Sequence, residues 1–181
     1  MSFSHAKKKI YTEDELYEYA VGALARRMRT VAELKRLMRQ KVEAETEFGQ
    51  TLVELIIRRL KDQGYLNDAK YAASYSSFRR DNEKFGRLRV IMDLKARGVH
   101  GALIDEAVSS AFDEVNDEKQ ARAYLARKRL VKPSDQKQAA RIFRQLVRAG
   151  FRSKTIFTIL KKWDVDEVTL TALEESKEST E

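Results

Sequence analysis

Three glycines, each followed by an apolar residue, punctuate the chain: Gly64-Tyr65, Gly98-Val99 and Gly150-Phe151. A glycine that closes an apolar helical stripe takes the left-handed conformation that other L-residues avoid, and the next side chain folds back on the last turn. Seven glycines and one proline in 181 residues are too few for the many turns of an all-β fold. The chain is therefore predicted to be all-α. Start signals agree: Thr12-x-x-Glu15, Thr30-x-x-Glu33 and Thr51-x-x-Glu54 each read as a capping box, with Tyr11 and Leu16 at staple positions around the first. Apolar residues follow at helical spacing, among them Leu16, Ala20 and Ala23, then Leu34, Leu37 and Met38, then Val53, Ile56, Ile57 and Leu60. Pro133-Ser134-Asp135 reads as a break and a new start. The predicted helices are 13–28, 31–41, 51–63, 67–82, 86–97, 101–112, 117–130, 135–149 and 153–163, nine in three sets of three.

The sets repeat. Leu94, Gly98, Val99, Ile104, Val108 and Ala111 recur 52 positions later as Leu146, Gly150, Phe151, Ile156, Leu160 and Trp163. Asn67-Asp68 and Tyr75 recur 49 positions later as Asn116-Asp117 and Tyr124; the three-residue difference falls in the loop around Pro133. Leu37 and Val42 match Leu94 and Val99 at an offset of 57, with a longer acidic loop from Glu43 to Gln50. A unit of about 50 residues is too small to bury a large core alone, so tandem three-helix repeats stacked in an elongated, curved array are expected. The division is a basic N-terminal tail 1–11, repeats 12–64, 65–115 and 116–163, and an acidic C-terminal tail 164–181. In that tail, Leu170 and Leu173 at most are expected to pack back, with the last eight residues mobile.

Charge is divided more sharply than the net of +8 suggests. The net is +3 over residues 1–63, −2 over 64–118, +13 over 119–163 and −6 over 164–181. Solvated helix surfaces normally mix signs, but Asp135 is the only acid in the +13 block, which points to a polyanionic partner. Two roles stand open for the acidic tail, shielding that block so that non-specific DNA binding weakens, or solubility alone. Other chemistry lacks its residues. Without cysteine there is neither a disulfide framework nor a thiolate metal site, and His5 and His100 are the only imidazoles. No Walker loop, GxGxxG, HExxH or GxSxG occurs, so neither catalysis, nor a cofactor, nor a metal is expected. No run of 18 apolar residues spans a membrane, and the N-terminus lacks the apolar core of a secretion signal. A cytoplasmic protein is expected.

Two stretches carry a family resemblance: Leu60-Lys61-Asp62-Gln63-Gly64-Tyr65-Leu66-Asn67-Asp68-Ala69-Lys70-Tyr71-Ala72, and Gly86-Arg87-Leu88-Arg89 through Leu94-Lys95-Ala96-Arg97-Gly98-Val99 to Ile104–Ala107. They resemble the RecX family of bacterial recombination regulators over roughly residues 12–163. Phe85-Gly86 stands where the family commonly has Lys-Gly or Arg-Gly, and Lys41-Val42 replaces the Lys-Gly common in the first repeat. The resemblance implies a non-enzymatic modulator that binds RecA, enters the groove of the RecA–single-stranded DNA filament, and inhibits strand exchange, ATP hydrolysis and coprotease activity. It also implies direct DNA contact, to single strands and secondarily to duplex. The chain is expected to be a monomer.

Candidate phosphate contacts follow from the basic block. Arg141, Arg144 and Arg148 form one stripe opposite Ile142, Phe143 and Leu146. Arg152 and Lys154 open the next helix, Lys161-Lys162 end it, and Arg127-Lys128-Arg129 end the helix before. Guanidinium forks match phosphate oxygens, whereas the terminal lysines are equally explained as complements to a helix C-terminus. Phe151 and Trp163 align with Val99 and Ala111 and read as core rather than base-stacking residues. Tyr65, Tyr71 and Tyr75 read likewise as core or inter-repeat packing. Asp105-Glu106 and Asp113-Glu114 read as solvated helix ends. A second function class stays open, a stand-alone helical DNA-binding protein acting without RecA, for which Gln136, Gln138 and Gln145 are the only base-reading candidates.

Overall fold

The computed structural model describes residues 12–42 and 46–178, all of its regular elements being helices. Tyr11, His5 and the basic tail 1–11 lie outside the described residues. The helices are α1 (Glu13–Arg26), α2 (Val31–Arg39), α3 (Glu47–Asp62), α4 (Asp68–Asp81), α5 (Arg87–Ala96), α6 (Gly101–Phe112), α7 (Asp117–Arg127), α8 (Gln136–Arg148), α9 (Ser153–Lys161) and α10 (Glu167–Glu178). The described residues form two compact units. One runs up to Ala72 and takes in Leu94–Ile104; the other holds Ala73–Asp93 and the chain from Asp105 onward. Helices α4, α5 and α6 contribute to both.

Two of the three predicted capping boxes form. Thr12 and Thr30 each accept the N–H of the residue three positions on, Glu15 and Glu33, whose carboxylates accept the cap N–H in return. The third does not. Thr51 lies inside α3, which starts a turn earlier because Thr46 Oγ1 accepts the Gly49 N–H at 3.0 Å, so Glu47–Gln50 are helix rather than loop. Asn67 and Asn116, aligned in the repeat, cap α4 and α7 in the same way through the N–H groups of Lys70 and Lys119, both at 2.9 Å. Asp135 caps α8, as predicted.

All three glycine stops take positive φ, at 76°, 74° and 86° for Gly64, Gly98 and Gly150. Each carries the paired Schellman bonds, such as Gly150 N–H to Val147 O and Phe151 N–H to Leu146 O. Val99 and Phe151 fold back and are buried. After Gly64 the pattern shifts by one residue: Tyr65 is 62% exposed, against expectation, and Leu66 fills the place instead. Both donate to the Leu60 carbonyl, so the extra residue changes the side chain but not the cap. Arg129 and Asp164 end α7 and α9 by the same bonds at φ 54° and 55°, without glycine and so without a sequence signal.

A tenth helix departs from the expected nine. Leu170 and Leu173 pack back as anticipated, both 6% exposed, but on a helix that reaches Glu178; residues 179–181 lie outside the described residues. Asp166 starts it by accepting the N–H and hydroxyl of Thr169 at 2.8 and 2.7 Å.

Within the first unit α1, α2 and α3 pack together around Leu16, Ala20, Leu34, Met38, Val53, Ile56 and Leu60. In the second, α7, α8 and α9 enclose Tyr124, Phe143, Leu146, Phe151, Ile156 and Leu160, joined by Leu170 and Leu173 of α10. The Tyr124 ring meets Phe85 and Phe151, each with centroids 5.9 Å away.

One joint recurs. Inside the second unit, the start of α5 seats on the end of α8: Gly86 N–H donates to Ala149 O at 2.8 Å and Leu88 N–H to Gly150 O at 3.3 Å. A Cβ on Gly150 would overlap the Arg89 backbone, and one on Gly86 would overlap the Gly150 carbonyl. Inside the first unit, the start of α2 seats on the end of α5: Thr30 donates its hydroxyl to Arg97 O at 2.7 Å, and Arg97 reaches the Glu33 carboxylate at 2.6 Å. Here a Cβ on Gly98 would overlap the methyl of Ala32. Ala32 and Arg89 are 57 positions apart, and Gly98 and Gly150 are 52 apart, the offsets at which the repeats align. Asp68 adds a carboxylate to the first joint, accepting Val31 N–H at 2.9 Å.

Gly64 differs from Gly150 in having open space where a Cβ would go. Gly64→Ala is expected to destabilise the fold by about 1–2 kcal/mol, the left-handed backbone penalty alone. Gly150→Ala adds a backbone overlap and should cost about 2 kcal/mol more, at or above the upper end of what single substitutions ordinarily cost. Urea unfolding of the two variants measures this; equal destabilisation would show that the close approach at Gly150 carries no energy.

Asp93 on α5 is held by Arg79 at 2.6 Å, by the Tyr75 hydroxyl at 2.9 Å and by Arg89 at 3.0 Å, and its side chain is 14% exposed. Burial pushes its carboxyl up, but the hydrogen bonds from Arg79 and Tyr75 and the two guanidinium charges outweigh that and hold it below the ordinary aspartate range. The unfolded chain therefore binds this proton more tightly. Its stabilising contribution is complete above about pH 4 and is lost as pH falls through the lowered folded value. Asp93→Asn should cost about 1–2 kcal/mol at pH 7, reduced because Arg89 reaches water. The gap from wild type should shrink below about pH 4; a gap independent of pH would contradict this account.

Candidate nucleic-acid interface

All ten candidate phosphate-binding residues belong to the second unit, and all ten side chains are exposed. For the three on α8 the reason lies in the pattern of that helix. Its apolar face, Ala139, Ile142, Phe143 and Leu146, is buried, which turns Arg141, Arg144 and Arg148 to water. Lys137, one turn before Arg141, extends the stripe and is exposed too. Its i,i+4 spacing from Arg141 is the sequence signal that identifies it as a fourth member. Lys137, Arg141, Arg144 and Arg148 run for about 16 Å along the helix at 1.5 Å per residue.

The ten separate into two groups. Among the described residues, no carboxylate lies within ion-pair distance of Arg129, Arg141, Arg144, Arg148, Arg152 or Lys154. The others are engaged within the unit. Arg127 donates to the Asn82 carbonyl at 2.7 Å and lies 3.5 Å from Glu83. Lys128 sits 5.9 Å from the Tyr124 ring centroid. Lys161 pairs with Glu167 at 3.6 Å and Lys162 with Glu118 at 2.7 Å. Lys162, then Arg122, holds the Glu118 carboxyl below its usual range. Lys132, which is not one of the ten, pairs with Asp164 at 2.7 Å and lowers that carboxyl likewise.

Arg152 precedes α9 with no side-chain cap, and no acid occupies the first turn of that helix. The start of α9 therefore presents its N–H groups beside Arg152 and Lys154. Phe151 is core, as expected, and Trp163 is half-buried against the same cluster. Tyr71 is buried and Tyr75 half-buried. Asp105, Glu106, Asp113 and Glu114 are exposed. His100 serves as a cap, its Nδ1 accepting the Ala102 N–H at 3.4 Å at the start of α6. No helix among the described residues is long and apolar enough to cross a membrane.

Residues 67–108 match the family model for the second three-helix domain of RecX. The chain is 32% identical over 152 residues to the regulatory protein RecX of Trichlorobacter lovleyi, covering 82% of this chain and 95% of that one. It is 33% identical over 153 residues to that of Deinococcus radiodurans, covering 82% and 68%. In three dimensions it resembles the crystal structure of RecX from Lactobacillus salivarius, with a TM-score of 0.60 and 21% identity, over 84% of this chain and 96% of that one. A second RecX crystal structure gives a TM-score of 0.61 at 23% identity, over 83% and 71%. The all-helical repeat fold is that of these structures, and with a near-full-length relative above 30% identity the chain belongs to the RecX family of regulatory proteins.

Proposed function

We propose that this chain acts by binding rather than catalysis, on RecA and on the RecA–single-stranded DNA filament, and that it inhibits strand exchange, ATP hydrolysis and coprotease activity. Family membership supports the regulatory role. The observation that supports the DNA contact is the α8 stripe, arginines exposed on one face of a helix without carboxylate partners among the described residues. Labour is divided in this reading. Residues 119–163, with a net charge of +13, hold phosphate, and the near-neutral first and second repeats span RecA protomers. The protein works in the cytoplasm as a monomer.

Phosphate binding releases condensed counterions, so affinity should fall steeply with salt. Replacing Arg141, Arg144 and Arg148 together by Ala should flatten the dependence of log K on log salt, by about 0.7 for each phosphate of a single strand that is no longer neutralised. The same variant should inhibit strand exchange less and keep its helical circular dichroism, because all three side chains lie off the buried face. Salt titrations on RecA-coated and bare single strands provide the test. A folded triple variant with wild-type slope and inhibition would leave the stripe as a solvated face. A wild-type protein that ignores coated strands and prefers a duplex sequence would establish the stand-alone DNA-binder instead.

A further inference from the structure

The most basic segment of the chain is followed directly by its most acidic, and the fold docks the second on the first. Helix α10 packs against α8, anchored by Leu170 and Leu173 in the core of the basic lobe. Its approach places Asp164 on Lys132 at 2.7 Å and Glu167 on Lys161 at 3.6 Å. Both carboxylates remain more than 80% exposed, so water screens the pairs and they add little to stability. Neither is needed to start the helix, since Asp166 supplies the cap. Glu167, Leu170 and Thr171 form one wall of an open cleft of about 430 Å³, and Lys154, Phe157 and Lys161 of α9 form the other. Weak, exposed ion pairs at the entry to a firmly anchored helix suit competition with another anion better than they suit holding the fold together.

We propose that the segment leading into α10 is an electrostatic competitor built into the protein: Asp164, at the end of α9, and Glu167, at the start of α10, occupy Lys132 and Lys161 and withhold them from phosphate until an extended nucleic-acid backbone, already held by the α8 stripe, displaces them. The proposal rests on the reading that the third repeat binds phosphate. It makes Lys132 a latent contact that joins only after displacement, and it lowers affinity for bare strands relative to what the +13 block would give alone.

The test uses the full-length chain, because deleting α10 would also strip Leu170 and Leu173 from the core. Asp164→Asn with Glu167→Gln removes both charges while keeping shape, and Asn tolerates the φ of 55° at position 164. The expected result is tighter binding to a bare oligothymidylate strand at low salt, on the order of tenfold, with a log–log salt slope steeper by up to about 1.4 for two freed lysines. Adding Lys132→Ala and Lys161→Ala should abolish that gain, while the same two changes in the otherwise wild-type chain should alter affinity much less. Asp105→Asn with Glu106→Gln changes net charge equally on exposed positions of α6 and should leave affinity nearly unchanged. Unaltered binding by the Asp164/Glu167 variant overturns the proposal, as does an equal gain from the α6 control. If instead the triple arginine variant keeps its salt slope, the phosphate-binding reading itself fails.

Discussion

A helix ends with carbonyls and begins with N–H groups that its own ladder cannot satisfy, and in this protein the end of one middle helix satisfies the start of another. At the α8–α5 joint, Gly86 and Leu88 donate to the Ala149 and Gly150 carbonyls, and the positive end of one macrodipole meets the negative end of the next. The contact works only if the backbones touch. Gly150 therefore does two jobs, entering the left-handed conformation that ends α8 and leaving out the Cβ that would strike Arg89. Gly98 does the same against Ala32, with Thr30, Glu33 and Arg97 supplying the polar ties that Gly86 and Leu88 supply at the other joint.

Much of the fold is legible in the sequence. Caps and stops are local, and they follow from one to three residues. Thr12, Thr30, Asn116 and Asp135 start helices, and Gly64, Gly98 and Gly150 end them, for reasons that need no neighbours. Boundaries are misplaced where local signals compete. Thr46 takes the cap that Thr51 also offers, its Oγ1 accepting the Gly49 N–H, and Thr51 falls inside the helix. The αL ends at Arg129 and Asp164 carry no glycine, and α10 hides its apolar face, Leu170 and Leu173, in a segment whose composition reads as a solvated tail. The joint is the least legible feature, because a glycine needed for close approach looks the same in sequence as one needed only for φ.

The candidate surface shows the same split. Which side of α8 faces water follows from its periodicity, and the arginine stripe falls where the apolar residues do not. Which cations are engaged does not follow, because the partners are distant in sequence: Glu118 for Lys162, Glu83 for Arg127 and Asp164 for Lys132. Charge blocks identify the basic lobe, but only the fold separates arginines with no carboxylate partner among the described residues from lysines that already hold carboxylates.

The joint between α5 and α8 fixes the setting of the basic lobe's best-formed stripe, and amide hydrogen exchange on the intact protein tests it most directly. First-turn amides of a helix with no partner exchange early, and Lys154 at the start of α9, whose amide has none among the described residues, is such a reference. If the joint is the constraint claimed here, the Gly86 and Leu88 amides, which also open a helix, should be protected to the level of core amides such as Leu146. Exchange at Gly86 and Leu88 as fast as at Lys154 would contradict it.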